Sequence, residues 1–185
     1  MAQVFISFIH EEEDYAQAVQ KFITRILGED ATPFLSSDKL QIYAGEKWVD
    51  RIMDELKDAK VVLLILSGHS VKRPWVNFEA GAAWTRDIAI IPVCVGGFKK
   101  DDLPKPYSSL QAVDLRIPGD DEYLARSVAH YLKIKEPYAR KYMGLSALGG
   151  DDEMKRAEFQ KIAFDELVKE LEEIDSLNEL WDGKS

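Results

Sequence analysis

An aromatic and β-branched run, Val4-Phe5-Ile6-Ser7-Phe8, predicts a strand near the start of the chain. The polar run from His10 to Asp14 follows it. Tyr15, Val19, Phe22, Ile23, Ile26 and Leu27 then recur at three- and four-residue spacing, which predicts a helix with Gly28 as its stop. Pro33 to Ser36 is a shorter strand candidate. Trp48, Val49, Ile52, Met53 and Leu56 give a second amphipathic helix ending near Ala59, and Asp38 to Glu46 reads as the loop before it. Val61 to Leu66 is six consecutive apolar residues. That is the pattern of a strand covered on both faces, and hence of the middle of a parallel sheet.

After a polar loop from Ser67 to Pro74, residues Trp75 to Arg86 read as a helix, which Pro74 can open because a first-turn position needs no intrahelical N–H. Ile88 to Val95 is the next strand, with Pro92 pointing to an edge position or a bulge. Gly96-Gly97 ends it, Leu103 to Ser109 is irregular, and Ala112 to Leu115 is a last short strand. Asp120 to Ile134 is a helix carrying Leu124, Val128, Tyr131 and Leu132. Strands alternating with helices predict an α/β fold with a parallel sheet and right-handed crossovers. Beyond Pro137 the character changes: Gly144 to Gly150 reads as a joint and Asp151 to Leu180 as a long acidic helix. On that helix Phe164, Leu167, Leu171, Ile174, Asn178 and Trp181 follow a three-four spacing with one polar position. The spacing leaves open whether it docks on its own domain, on a neighbouring subunit or on a missing domain.

Composition narrows the classes. With 185 residues, 46% of them hydrophobic and 31% charged, the chain is globular and long enough for one domain with an appendage. The net charge is −9, and the stretch from Asp151 to Ser185, with twelve acidic and five basic side chains, carries −7 of it. An acidic chain repels a phosphate backbone, so nucleic acid is not an expected partner. The lone Cys94 lies in an apolar run, which predicts a buried inert thiol and a cytoplasmic location. No stretch reaches the ~18 to 20 apolar residues needed to cross a bilayer, and Met1 leads straight into the first strand. Neither a membrane partner nor a leader is expected.

The candidate chemistry sits after the central strand. Trp75 and Glu79 are four residues apart, so on a helix they line one wall beyond the carboxyl end of that strand, where open α/β sheets bind ligands. A carboxylate there opposes positive charge developing in a bound ligand, and an indole stacks on a flat ring. On spacing alone, an ordinary helix carboxylate paired with Arg73 or Arg86 is the simpler reading of Glu79, and a core or rim aromatic an equal reading of Trp75. His10 with Glu11 to Asp14 invites a metal site, but dipole complementarity at a helix start explains these residues, so no metal is expected. Ser67 and Ser70 form no defensible Ser-His-Asp order and are left with hydrogen bonding in a loop or pocket. No glycine-rich phosphate cradle occurs between a strand and a helix. A phosphoacceptor module would want an Asp where Ser67 stands.

The same order of elements resembles the TIR (Toll/interleukin-1 receptor) domain family over roughly residues 3 to 135. Three stretches carry the resemblance: Phe5-Ile6-Ser7-Phe8, then Phe34-Leu35-x-x-Asp38-Lys39-Leu40 followed by Ala44-Gly45, and then Trp75-Val76-Asn77-Phe78-Glu79. The pattern is nearest to the members that cleave NAD+. It implies a flavodoxin-like TIR fold over residues 1–135, with 136–185 as a C-terminal helical extension. It also implies an NAD+ glycohydrolase that releases nicotinamide and leaves ADP-ribose or a cyclised form, with NAD+ as substrate and no cofactor. Glu79 matches the family's essential glutamate.

Other positions follow from the same resemblance. The loop from Asp38 to Trp48 matches the family's loop over the nucleotide pocket, which also takes part in subunit contacts. Within it Asp38 and Leu40 match substrate-facing positions, and Tyr43 and Lys47 would cover a bound dinucleotide. Phe8, Ile9 and His10 occupy the stretch where an axon-degeneration member carries aromatic and basic residues. The basic pair is missing here, so Lys39 or Arg73 has to supply the phosphate or adenine contact. Ser67 and Ser70 match a serine-containing loop. In the resembling enzymes two protomers complete each active site and assembly switches on catalysis, which implies homotypic contacts and an immune or antiphage type of role. A non-enzymatic TIR scaffold acting by oligomerisation is the alternative.

Overall fold

In the computed structural model the described residues are 3–28, 31, 33–37, 48–134 and 152–182. Five parallel strands, β1 (Val4–Phe8), β2 (Phe34–Ser37), β3 (Val61–Leu66), β4 (Ala89–Cys94) and β5 (Val113–Asp114), form one sheet in the order β2-β1-β3-β4-β5. This is the flavodoxin-like doubly wound order. The continuous apolar run Val61–Leu66 is fully buried at its centre, as a strand covered on both faces must be. Helices α1 (Glu13–Leu27), α2 (Trp48–Asp58), α3 (Pro74–Trp84) and α4 (Asp120–Leu132) flank the sheet.

Strand alternation sorts the side chains into two cores. Val4, Ile6, Phe8, Leu63, Ile65 and Val93 pack with α1 and α4 on one face. Phe5, Val62, Leu64 and Leu66 pack with Ile52 and Leu56 of α2 and Val76, Ala80 and Ala83 of α3 on the other. Gly28, at φ 88°, ends α1 in a conformation that L side chains rarely adopt. No helix among the described residues is long and apolar enough to cross a membrane.

One expectation needs correction. Pro92 introduces no bulge, because the β3–β4 register runs unbroken from Val61↔Ala89 to Leu66↔Cys94. The Val95 N–H donates to Leu66 O, so by alternation the nitrogen of Pro92 faces away from β3, one residue before the Val93–Cys94 stretch that β5 covers. The missing donor therefore removes no ladder bond, and among the described residues β4 is an edge only along its first half. Between β4 and β5 the described chain makes short 3-10 turns at Lys100–Asp102 and Tyr107–Ser109, in keeping with the irregular stretch expected over Leu103 to Ser109, which Pro104 and Pro106 interrupt.

The long acidic helix, α5 (Asp152–Asp182), docks in cis on α1. Among its described side chains Ala163, Leu167, Leu171 and Ile174 are buried, and the polar seam position Asn178 meets Tyr15. Lys21 pairs with Glu170, Arg25 pairs with Glu166, and the Arg25 guanidinium lies 5.4 Å over the Phe159 ring. The Tyr15 hydroxyl donates to Asp175 Oδ1 at 2.6 Å and accepts from Asn178 Nδ2 at 3.1 Å. Burial, and then the Asp175 bond, raise the Tyr15 pKa and hold the phenol protonated. Tyr15→Phe leaves Asp175 without that donor and lowers stability by about 1–2 kcal/mol, read as a lower urea midpoint at unchanged slope.

Candidate functional site

β3 delivers the chain to a turn that Ser67 and Ser70 build between them. Ser67 N–H donates to Ser70 Oγ at 2.8 Å, His69 N–H donates to Ser67 Oγ at 3.0 Å, and Ser70 Oγ–H donates to Ile65 O at 3.3 Å. A 3-10 turn over Ser70–Lys72 follows, and Arg73, extended at ψ 128° as a residue before proline prefers, leads into Pro74 at the first position of α3. The turn is closed by hydrogen bonds between its own side chains and backbone. The helix therefore starts at one place and presents a defined face to the sheet.

That face carries Val76, Glu79, Ala80 and Ala83, and Glu79 is 0% exposed among them. Its Oε1 accepts a hydrogen bond from Ser36 Oγ at 2.8 Å, a contact between α3 and β2. Ser36 is itself fully buried. The ordinary surface carboxylate is thereby excluded, and the two arginines of that reading are engaged elsewhere. Arg73 Nη2 donates to Glu11 at 3.0 Å, and Arg86 Nη1 donates to Ala82 O at 3.4 Å. Trp75, one turn before Glu79, is half-buried and stacks on Phe78 with ring centroids 5.3 Å apart and planes inclined by 27°. Phe78 is exposed, so the pair offers an aromatic plate at the helix start.

The remaining predicted residues are dispersed. Phe8 lies in the α1–α4 core and Ile9 in the α2–α3 core, both buried, while His10 is exposed on the 3-10 turn beyond β1 with Nδ1 3.4 Å from Glu13. Ser67 and Ser70 are buried with their hydroxyls in the turn just described. Asp38, Lys39 and Leu40, with Tyr43, Gly45 and Lys47, lie outside the described residues. Among the described residues no group of three or more His, Cys, Asp or Glu is placed to hold a metal.

Two residues near the site were not singled out from sequence. Ser36 belongs to it by direct contact; its signal was its place two residues after Phe34, on the inward face of a short strand. Glu12 is the other. It is buried to 3% exposure beneath the Ser67–Ser70 turn, and burial pushes its carboxyl up to about 7. Ser67 and Ser70 pull it back only in part, and neither carboxyl oxygen has hydrogen-bond geometry with a described residue.

A cavity of about 630 Å³ lies at the other end of the sheet, along the first half of β4, which no described strand pairs on the β5 side, between Trp84, Ile90, Leu110, Tyr123 and Tyr131. It does not include Glu79.

Comparison with known proteins adds a family and two likenesses. A family model described as TIR domain matches residues 4–129. The stimulator of interferon genes protein of Magallana gigas is 33% identical over 76 residues, a match covering 38% of this chain and 18% of that protein. The chain thus matches less than a fifth of that relative's length. The TIR domains of the activated Roq1 resistosome, which directly recognises the pathogen effector XopQ, align over 89% of this chain and 84% of theirs, with a TM-score of 0.39 and 9% identity.

Proposed function

The chain belongs to the TIR domain family, and from that premise we propose that it is an NAD+ glycohydrolase of immune-type signalling, activated by self-association. The observation that carries the reading is the fully buried Glu79, held by Ser36 at the carboxyl end of the sheet with the Trp75–Phe78 plate one turn away. In the proposed reaction the bond between the ribose anomeric carbon and the nicotinamide nitrogen breaks, and its electron pair leaves with nicotinamide as a neutral base. The sugar becomes oxocarbenium-like. Water, or a nitrogen of the same substrate's adenine, then closes on that carbon to give ADP-ribose or a cyclised form. An anion in a low-dielectric wall is what such a transition state requires. The aromatic plate suits a flat ring.

Glu79 has no exposed surface in this conformation, so it has to be uncovered before it meets a ribose. Assembly is the step assigned to that opening. The test incubates the full chain with NAD+ across a range of protein concentrations and follows products by mass spectrometry. Nicotinamide is expected, with a specific rate that climbs with concentration. Absence of nicotinamide at every concentration ends the enzymatic reading.

The second reading, a scaffold acting through homotypic contacts, is favoured by the half-edge of β4 that no described residue pairs. Trp84, Tyr123 and Tyr131 stand around it, 50%, 46% and 41% exposed, beside backbone that no described strand pairs. Exposed aromatic surface of that kind marks an association site, and we assign it to a second copy of the chain. The double substitution Trp84→Ala with Tyr131→Ala is expected to shift sedimentation toward monomer at equal concentration without lowering the thermal midpoint. An unchanged mass distribution moves the contact elsewhere. The scaffold reading requires indifference to Glu79, whereas the enzymatic reading uses assembly and Glu79 together.

A further inference from the structure

We propose that Ser36 is the positioning residue of Glu79, with Ser7, its partner across the β1–β2 pair, as a second buried hydroxyl on the same face that responds when the Ser36–Glu79 pair changes. Register supplies the first argument. Ser7 and Ser36 are direct partners across the parallel β1–β2 pair, two residues on from the partners Phe5 and Phe34. Side chains two apart on a strand share a face, so the serines point where the two phenylalanines point. Those rings pack 5.6 Å apart on the α2–α3 side of the sheet, the side from which Glu79 descends.

Burial supplies the second. Ser7, Ser36 and Glu79 are each 0% exposed. The Ser36 hydroxyl donates to Glu79 Oε1 at 2.8 Å, and the Ser7 hydroxyl has no partner among the described residues. A buried hydroxyl without a partner is unfavourable, and alanine would serve β1 better at that position if packing were the whole requirement. A hydroxyl rotor one strand from Ser36 can instead turn to accept or donate as the Ser36–Glu79 pair changes its proton or its orientation. A donor aimed at one carboxylate oxygen also fixes the plane of the group, so the second oxygen faces a defined direction. Ser36 on β2 and Glu79 on α3 lie 43 residues apart in sequence, and no local motif contains both.

The activity arm of the test rests on the glycohydrolase reading, and a second arm does not. Ser36→Ala, Ser36→Thr and Ser7→Ala are made in the full chain. Ser36→Ala is expected to lower kcat for nicotinamide release about tenfold, with KM little changed and the acid limb of the pH–rate profile displaced to higher pH. Ser36→Thr keeps the donor and restores most of the rate, and Ser7→Ala moves both readouts the same way by less. Independently of activity, the carboxyl carbon-13 resonance of residue 79, identified by its loss in Glu79→Gln, is expected to titrate at higher pH in Ser36→Ala than in the unaltered chain. Coincident titrations overturn the proposal, and so does a rate loss matched by lowered thermal stability with no displacement of the titration. A displaced titration in a chain that releases no nicotinamide upholds the positioning role and removes the glycohydrolase.

Discussion

Glu79→Gln is expected to reduce nicotinamide release by about 10²- to 10³-fold at saturating NAD+, with the fold intact. The magnitude follows from what the substitution removes. Glutamine has the same shape and keeps an oxygen for the Ser36 hydroxyl, so the contact at 2.8 Å and the packing against Val76, Ala80 and Ala83 survive. The negative charge does not. Where charge develops in a dry site, a single fixed electrostatic partner contributes about 3–4 kcal/mol to the transition state, which sets the expected range. An effect confined to the transition state appears in kcat, with KM close to that of the unaltered chain. Thermal unfolding should not weaken, because the change also removes a carboxylate that is fully buried. Initial rates at matched protein concentration decide the matter. A rate within a factor of about two of the unaltered chain would instead give the chain a scaffold's indifference to this carboxylate.

The parts of this site written in local pattern were legible, and the parts written in topology were not. Six apolar residues from Val61 to Leu66 allow little but a central strand, and Pro74 with the spacing of Trp75 and Glu79 places an indole and a carboxylate at the start of the helix beyond it. The partner of that carboxylate is another matter. Ser36 reaches Glu79 only because β2 lies beside β1 at the sheet edge and α3 packs across that face, and neither fact resides in residues 34–37. Phe8 and Ile9 show the same limit. Alternation places them in opposite cores, although adjacency in sequence grouped them as neighbours in one loop.

Glu12 shows how a correct local argument misses a particular residue. Four acidic side chains in a row suit a helix N-terminus, and Glu11 and Asp14 are exposed as that argument requires. The chain, however, enters α1 through a 3-10 turn over His10–Glu12, whose tighter winding changes the direction of each successive side chain. Glu11 turns outward to Arg73, while Glu12 turns inward under Ser67 and Ser70. The docking of α5 was undetermined for a related reason: an apolar stripe states that a partner exists, and only the folded position of the α1 face that α5 covers states which.

The inward turn of Glu12 carries the second large expectation, that Glu12→Gln stabilises the fold in mildly alkaline solution and not in acid. Its carboxyl is raised from 4.5 to about 7 in the folded chain. Between those values the folded protein holds a proton that the unfolded chain has released, so this group makes stability fall as pH rises through the window. Below about 4.5 both states are protonated and the group contributes nothing. Above about 7 the folded chain carries a buried carboxylate, and the accumulated penalty is about 3 kcal/mol. Glutamine does not titrate, and its amide can donate and accept toward the same two serine hydroxyls. Urea midpoints are therefore expected to coincide near pH 4.5 and to separate progressively, with the variant more stable by about 2–3 kcal/mol at pH 8. Parallel midpoint curves from pH 4.5 to 8 would mean that Glu12 stays ionised in the folded state. Because the Ser67–Ser70 turn above Glu12 is the turn that launches α3, the gain in stability should come with slower amide exchange in Ser67–Lys72 at pH 8, and not at pH 4.5.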